Sequence, residues 1–373
     1  MLRDNFLSLQ FTVLLPQCLH PLLPRSSLHQ THNEQQLDIQ PDHDTLSPKT
    51  TATSIDQALH VITSTMTCAD TIAILQNHGC ADLTSLLDEH ACSRYPVANG
   101  GLGDVFRGRL HNGTSIAIKT IRSYYDHGQL SRVYHKRAAR EIYTWSKCKH
   151  PNIVELIGLV VFRDCLAMIS RWEENGSLLQ YLSRHPSANR CELSTSICAG
   201  LAYLHDNDII HGDLKGANIL IARDGRPMLM DFGNASLLDA TLKFTQTNTG
   251  ASFSSRWTAP EILEGTTKHT PAGDIYSLGM TILEAFTSEI PFADKPEISI
   301  LTHIVVKKNI PMRPEKIIPK SSVYGDRLWD ILTKCWAYDP EQRPSVGVVW
   351  EVLKPLTPDK LEVIKEGGQE GED

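Results

Sequence analysis

Two aspartates, a lysine and an asparagine in this 373-residue chain are spaced so that their side chains could take part in one reaction. Asp213, Lys215 and Asn218 lie in residues 211–218 (His-Gly-Asp-Leu-Lys-Gly-Ala-Asn), and Asp231 follows thirteen positions after Asn218. Phosphoryl transfer needs an oriented hydroxyl and metal ions that neutralise developing negative charge. Asp213 and Asn218 lie five positions apart, so one backbone segment could serve both an acceptor hydroxyl and a metal ion.

The elements between these residues must bring them together. Residues 219–221 and 228–230 are short apolar segments joined through Asp224-Gly225, which is a strong turn signal between two strands. A hairpin here would place Asn218 and Asp231 at the same end, where one metal ion could contact both.

These residues together resemble the catalytic loop and the Asp-Phe-Gly turn of a eukaryotic protein kinase. The resemblance implies ATP and Mg²⁺ as cofactors and protein substrates as partners. It makes Asp213 the residue that accepts the substrate hydroxyl proton, and Lys215 the residue that stabilises the γ-phosphate. Asn218 and Asp231 would hold the metal ions.

A glycine run upstream, residues 98–105, resembles the glycine-rich loop of kinases, whose backbone N–H groups approach the phosphates. Alanine fills its first glycine position, which could stiffen the loop because alanine disfavours positive φ. Residues 116–119 (Ile-Ala-Ile-Lys) resemble the strand whose lysine pairs with the phosphates and with a helix glutamate. The nucleotide-binding positions implied here are Ala98, Gly100, Gly103, Lys119 and Glu141.

Residues 170–178 resemble the hinge between the two kinase lobes, and residues 150–154 and 166–169 are expected to form inner strands of the smaller lobe. Ser170 would be the gatekeeper, whose small side chain should leave a back pocket open. The adenine would bond to hinge backbone and pack between apolar side chains. The positions implied are Arg171 and Glu173 in the hinge, with Val105, Ala117 and Leu220 around the ring.

Further kinase motifs follow in order. Residues 259–261 (Ala-Pro-Glu) match the end of the activation segment, and Glu261 would pair with Arg343. Asp274 resembles the helix aspartate that braces the catalytic loop. These positions are structural, so they predict an intact larger lobe.

The substrate class follows from Lys215 and residues 253–258. A lysine two after the loop aspartate is the serine/threonine kinase pattern, with Ser254 as its expected partner, whereas residues 253–258 partly resemble tyrosine kinases. This mixture is typical of the tyrosine kinase-like group of serine/threonine kinases. Gly212 replaces the arginine that receives an activation-segment phosphate, so activity should depend less on phosphorylation there.

Composition agrees with an intracellular enzyme. The net charge of −7 gives no reason to expect nucleic acid as a partner. Nine cysteines without a Cys-x-x-Cys pair fit reduced thiols, and no zinc-ligand spacing occurs. The apolar residues 6–15 are too few to span a bilayer, so we expect no membrane span and a cytoplasmic location.

The resemblance covers residues 93–356 as a kinase domain. Composition predicts a disordered leader in residues 1–54 and an acidic disordered tail in residues 357–373. Residues 55–92 are predicted to be a short helical extension of two helices, with a break at Gly79. They would either pack on the smaller lobe or, through residues 55–90, dock a partner.

The expected fold is therefore α+β: a smaller lobe with an antiparallel sheet and one main helix, and a larger, mostly helical lobe. The function implied is transfer of the γ-phosphoryl of Mg-ATP to serine or threonine hydroxyls of proteins in intracellular signalling. The alternative is a pseudokinase scaffold that binds nucleotide or partners without turnover.

Overall fold

The computed structural model describes residues 61–63, 66–99, 103–121, 130–237, 243–244 and 254–361. The described residues up to Arg171 fold as a lobe built on a six-stranded, entirely antiparallel sheet. Its strands lie in the order β2-β4-β5-β7-β6, and β3 also pairs with β4. They are β2 (Leu87–Asp88), β3 (Ala98–Asn99), β4 (Gly103–Leu110), β5 (Ser115–Ile121), β6 (Gly158–Phe162) and β7 (Cys165–Arg171).

The β4–β5 hairpin turns at Asn112-Gly113, a residue pair typical of tight turns between strands. Gly113 has φ +87°, a left-handed conformation that favours glycine, and the Asn112 side chain accepts the N–H of Thr114. One face of the sheet buries a cluster that includes Phe106, Ile118 and Ile169. The opposite face points toward the cleft and carries Lys119, so the alternation of strand residues separates core from site.

Helix α2 (Leu130–Ser146) is the main helix of this lobe and packs against β5 and β7. Its residues Glu141, Tyr143 and Trp145 are all buried. It is preceded in the chain by the shorter helix α1 (Cys68–Asn77), which begins at a capping box between Thr67 and Asp70.

The described residues from Leu178 onward form the larger, mostly helical lobe. Its central helix begins at Thr270 and Pro271, an N-cap and an N1 proline, and is buried along nearly its whole length. The α-helices are α3 (Leu178–Arg184), α4 (Arg190–Asp206), α5 (Pro260–Leu263), α6 (Pro271–Thr287), α7 (Glu297–Leu301), α8 (Val323–Cys335), α9 (Val346–Leu353) and α10 (Pro358–Leu361). A π-helical turn, Thr302–Val306, extends α7.

Three small strand pairs are present outside the main sheet in the described residues. β9 (Ile219–Ile221) and β10 (Pro227–Leu229) form the predicted hairpin, and Gly225 in its turn has φ +88°. β8 (Ile209–Ile210) pairs with β11 (Ser236–Leu237), and β1 (Val61–Ile62) pairs with β12 (Lys243–Phe244). The predicted two-lobed α+β fold is confirmed.

The prediction of a strand at residues 150–154 is wrong. Backbone N–H groups of Ile153 and Val154 donate to turn and hairpin carbonyls, and the side chain of Asn152 donates to Pro227. These contacts tie the segment to β10 in the larger lobe, and the inner strand is β6, a few residues later.

The ends of the chain also differ in part from expectation. The described part of residues 55–92 contains one α-helix, α1, with the short strands β1 and β2 and two 3₁₀ turns, rather than two helices. The predicted break at Gly79 is present, with φ +89°. Residues 1–54 and 362–373 lie outside the described residues, while helix α10 occupies the start of the predicted tail. Within the described part of the chain, the helices are too short or too polar to cross a membrane.

Candidate active site

Asp274 of helix α6 holds the catalytic loop, residues 211–218, through hydrogen bonds to its backbone. Its carboxylate accepts the backbone N–H groups of His211 at 2.8 Å and Gly212 at 2.9 Å, and contacts Nε2 of His205 at 3.0 Å. Burial would raise the pKa of Asp274, but the contact with His205 and these N–H donors outweigh it and lower the pKa. The loop backbone is thus fixed by an ionised, buried carboxylate.

The loop brings Asp213, Lys215 and Asn218 together around one oxygen. Lys215 Nζ lies 2.8 Å from Asp213 Oδ2, and Asn218 Nδ2 lies 3.0 Å from the same oxygen. Asn218 also donates to the Asp213 carbonyl at 2.8 Å, which locks the 3₁₀ turn Gly216–Asn218. Ser254 receives a bond from Lys215 Nζ at 2.6 Å, the contact expected from the sequence.

Lys119 on β5 contacts two carboxylates, one on α2 of the same lobe and one in the Asp-Phe-Gly turn. Its Nζ lies 2.7 Å from Glu141 Oε1 on α2 and 2.6 Å from Asp231 Oδ1. Burial opposes the charge of Lys119, yet the two carboxylates outweigh burial and raise its pKa. Burial likewise acts against ionised Asp231, but Lys119 lowers the pKa of Asp231 to about 2. The cleft therefore holds a charged lysine and an ionised aspartate.

Glu141 belongs to the same ion pair but is more deeply buried, with 2% of its surface exposed. Burial raises the pKa of Glu141, although Lys119 counteracts this. Its second oxygen, Oε2, has no hydrogen-bond partner among the described residues. An unpaired buried oxygen is costly, so the position of Glu141 depends on the packing of α2 around it.

Three packed rings connect α2 to the catalytic loop. Phe232 of the Asp-Phe-Gly turn is 1% exposed and lies 5.9 Å from Trp145 of α2 and 5.7 Å from His211, measured between ring centroids. His211 Nε2 lies 3.1 Å from the Met230 carbonyl, directly before the turn. The turn, the helix that carries Glu141 and the loop that carries Asp213 are thus packed as one unit.

The cleft face of the sheet carries the residues predicted to surround adenine. Val105 lies opposite Lys119 in the β4–β5 ladder, and Ala117 lies opposite Ser170 in the β5–β7 ladder. Residues directly opposite in antiparallel strands share a face, so these side chains line one surface. Leu220 lies in β9 of the larger lobe, half-buried like Val105 and Ala117.

The hinge follows β7. Arg171 ends this strand, and Glu173 lies two residues later, before α3. Ser170 is 6% exposed and its Oγ donates to the Arg171 carbonyl at 3.4 Å. The predicted gatekeeper is therefore a small side chain between Ala117 and the hinge.

The glycine-rich segment is described only in part. Ala98 lies in β3 and pairs with Val105, while Gly100 lies outside the described residues. A Cβ atom added to Gly103 would lie 2.2 Å from the Thr120 carbonyl oxygen, so no other residue fits there without a backbone shift. Gly103 thus allows the close approach of β4 to β5.

The Ala-Pro-Glu segment is anchored by the predicted ion pair. Arg343 Nη1 and Nη2 each lie 2.7 Å from one carboxylate oxygen of Glu261, and the Arg343 side chain is fully buried. This two-point contact fixes the C-terminal end of the activation segment to the larger lobe.

Glu284 on α6 was missed by the sequence reasoning. Its Oε2 accepts the N–H of Gly216 and the indole N–H of Trp257, both at 2.8 Å. Burial raises the pKa of Glu284 to about 7 despite these donors and nearby Lys215. An acidic residue inside the apolar run of α6 was the one signal in the sequence, because a buried charge usually has a specific partner.

The donor set fits a magnesium ion. Asp231 supplies an ionised carboxylate, and Asn218, whose Nδ2 is engaged by Asp213, retains its amide oxygen as a second hard ligand. The Met230 N–H donates to the Asn218 carbonyl at 3.0 Å, which keeps the two segments adjacent. Mg²⁺ usually takes one or two protein ligands and completes its shell with phosphates and water.

Comparison with known proteins agrees with this architecture. The protein kinase domain family matches residues 95–353. The chain is 29% identical over 286 residues to a serine/threonine-protein kinase STY46 from Arabidopsis thaliana, which covers 75% of this chain and 45% of that protein. It is 32% identical over 255 residues to a mitogen-activated protein kinase kinase kinase 1a from Physcomitrium patens, covering 68% of this chain and 32% of that protein.

The chain therefore belongs to the protein kinase family. The predicted place in the tyrosine kinase-like group of serine/threonine kinases is confirmed by these relatives. The chain spans less than half the length of either of these two kinases.

Proposed function

We propose that this chain is an active serine/threonine kinase that transfers the γ-phosphoryl of Mg-ATP to protein hydroxyls. One observation carries the proposal: Lys119 bonds to both Glu141 and Asp231, while Lys215 and Asn218 converge on Asp213. Positioning and charge neutralisation are nearly all that phosphoryl transfer requires.

Each residue has a role in the proposed reaction. Asp213, held through Oδ2, would accept the proton of the substrate hydroxyl at its other oxygen as that hydroxyl attacks the γ-phosphorus. Lys215 would stabilise the charge that develops on the γ-phosphate. Lys119, aligned by Glu141, would contact the α- and β-phosphates, and the bound Mg²⁺, held by Asn218 and Asp231, would neutralise phosphate charge.

The pseudokinase alternative rests on two departures from the family pattern, Ala98 and Gly212. Neither departure removes a side chain that would bind a phosphate or a metal ion. Gly212 has φ +77°, and a Cβ there would lie 2.8 Å from the Asn234 carbonyl oxygen. Glycine suits this backbone well, so the loop geometry around Asp213 supports turnover rather than its loss.

Phosphate incorporation into a generic protein substrate tests the proposal. Purified chain with Mg-ATP should phosphorylate serine and threonine, and Asp213→Asn should lower kcat by roughly 10²–10⁴-fold, as expected for a general base. ATP affinity should stay near that of the unchanged chain, because Asp213 acts in the transition state. Lys119→Met should instead weaken nucleotide binding as well.

The scaffold alternative would be favoured if the unchanged chain binds nucleotide but incorporates no phosphate into the substrate, and if the Asp213→Asn variant behaves in the same way. The cytoplasmic location, the action on protein substrates and the domain boundary at residues 93–356 are part of the proposal and rest on family likeness. Docking of a partner through residues 55–90 stays a prediction, and the side chains of α1 that are already buried, such as Ile72 and Leu75, would not take part in it.

A further inference from the structure

A segment before the kinase-family match wraps the smaller lobe. We call residues 61–63 and 66–88 the N-terminal strap; they end before residue 95, where the match to the family begins. The strap contacts the sheet, helix α2 and the activation segment, which are the three parts of the chain that meet at Lys119, Glu141 and Asp231.

The strap first covers the sheet. At one edge, the Leu83 N–H donates to the Leu159 carbonyl of β6, and the Leu159 N–H donates to the Ala81 carbonyl, both at 2.8 Å. A Cβ added to Gly158 would lie 2.4 Å from the Ala81 oxygen, so the approach requires glycine. At the other edge, Leu87 pairs with Leu110 of β4. The strap thus crosses from one sheet edge to the other.

The crossing contributes to the face of the sheet that points away from the cleft. Leu87 belongs to the cluster around Phe106, Ile118 and Ile169, and Leu83 packs against it. These sheet residues are almost fully buried with the strap in place. The strap therefore completes the hydrophobic core of the smaller lobe.

The strap next supports helix α2. Helix α1 packs on α2, with the rings of His78 and Tyr143 in an edge-to-face contact at 5.4 Å. Tyr143 lies two residues after Glu141 in the same helix and is 2% exposed. Glu141 Oε2 is buried without a hydrogen-bond partner among the described residues, which is costly. Packing of α2, rather than a second hydrogen bond, must therefore hold Glu141 opposite Lys119.

Finally, the strap pairs with the activation segment. Val61 lies opposite Lys243 and Ile62 opposite Phe244 in a parallel pair, about 180 positions apart in the chain. Ile62 is fully buried and belongs to the same core cluster as Ile72 and Leu75 of α1. The pair thus connects the activation segment to the helix that packs on α2.

We propose that the strap is a positioning element of the kinase. It holds α2 and the activation segment in place so that Glu141 and Asp231 both contact Lys119. The inference rests on the proposed function for its catalytic part and on β1–β12 pairing for its structural part. The strap, residues 61–63 and 66–88, thereby has a role inside the kinase.

Substitution of Ile62 should weaken the contact between the strap and the activation segment. Ile62→Ala removes buried contacts within the core cluster that Ile62 shares with α1, and Ile62→Pro also removes a backbone donor. The matched control is Ile298→Ala, which deletes the same atoms from a side chain that is 91% exposed on α7. Ile62→Val should behave like the unchanged chain, because it keeps most of the buried volume.

Amide hydrogen exchange on the full chain reads the pairing directly. The peptide that contains residues 243–244 should be protected in the unchanged chain, and Ile62→Pro should lower its protection about tenfold or more, the loss expected from one or two hydrogen bonds. Peptides from β5 and β7 should keep their protection, which would show that the lobe remains folded. If Ile62→Pro fails this check, Ile62→Ala is measured in its place.

Turnover reads the consequence. Ile62→Ala and Ile62→Pro should lower kcat/KM by roughly 2- to 30-fold, whereas Ile298→Ala and Ile62→Val should not change it. An unprotected 243–244 peptide in the unchanged chain, or lost protection with normal turnover, would overturn the proposal. If the unchanged chain has no turnover, the proposed function fails by itself, and the exchange measurement still decides whether the strap holds the activation segment.

Discussion

Replacing Arg343 by methionine should destabilise the larger lobe strongly. Arg343 donates to both oxygens of Glu261 at 2.7 Å, and to the carbonyls of Ala337 and Ala272 at 2.9 and 3.0 Å. Its side chain is fully buried and that of Glu261 is 10% exposed. Methionine would leave Glu261 as a buried, unpaired carboxylate, which costs about 3–5 kcal/mol.

The free energy of unfolding in urea and the thermal midpoint measure this effect. A loss of about 3–5 kcal/mol corresponds to a fall in Tm of roughly 6–20 °C for a domain of this size. The matched control is Lys334→Met, since Lys334 and Asp330 also lie 2.7 Å apart but both side chains are more than half exposed. Exposed pairs contribute about 1 kcal/mol or less.

Two results would contradict the reasoning. If the free energy of unfolding of Arg343→Met lies within about 1 kcal/mol of that of the unchanged chain, the buried ion pair contributes little to stability. Equal losses for Arg343→Met and Lys334→Met would mean that burial does not decide the cost. The double variant Glu261→Gln with Arg343→Met should be more stable than Arg343→Met alone, because it removes the unpaired charge.

Three further outcomes are expected. ATP-site inhibitors with a bulky extension should bind tightly, and Ser170→Phe should abolish this binding; equal affinity for both would refute the open back pocket. The pKa of Glu284 is raised from 4.5 to about 7, so the folded protein retains a proton that the unfolded chain has lost, and stability should fall by roughly 3 kcal/mol as pH rises through this window. Glu284→Gln should flatten that pH dependence of urea unfolding. Phosphatase treatment should leave most of the activity, because Gly212 stands where other kinases have the arginine that binds an activation-segment phosphate. A large loss of rate would contradict this.

Local patterns predicted much of the fold around the cleft. The Asp224-Gly225 turn between two apolar runs implied the hairpin that carries Asn218 and Asp231, and the structure contains it. For Lys119 the signal was the resemblance of residues 116–119 to a kinase strand, which implied a pair with Glu141; the two side chains lie 2.7 Å apart. The hairpin is encoded in adjacent residues, whereas the lysine–glutamate pair was inferred only through the family pattern. The roles of these residues stay predictions until turnover is measured.

Long-range contacts were beyond that kind of reasoning. Ile153 and Val154 have strand composition, but their N–H groups bond to turn and hairpin carbonyls, so tertiary context overrides local preference. The short β1 pairs with residues far along the chain, and a two-residue strand has no periodicity to read. Glu284 was missed because its partners, Gly216 and Trp257, come from two other segments.

The strap also determines where this protein can be shortened for laboratory work. A recombinant version cut at residue 95, where the family match begins, would lack Leu83 and Leu87 and so part of the core around Phe106 and Ile118. It would also leave the outer edge of β6 without its backbone bonds to Ala81 and Leu83. Unpaired edges and bare apolar patches of this kind favour aggregation. Insoluble or inactive material from such a version would therefore reflect a missing part of the core rather than a defective enzyme, and cloning should begin upstream of Val61.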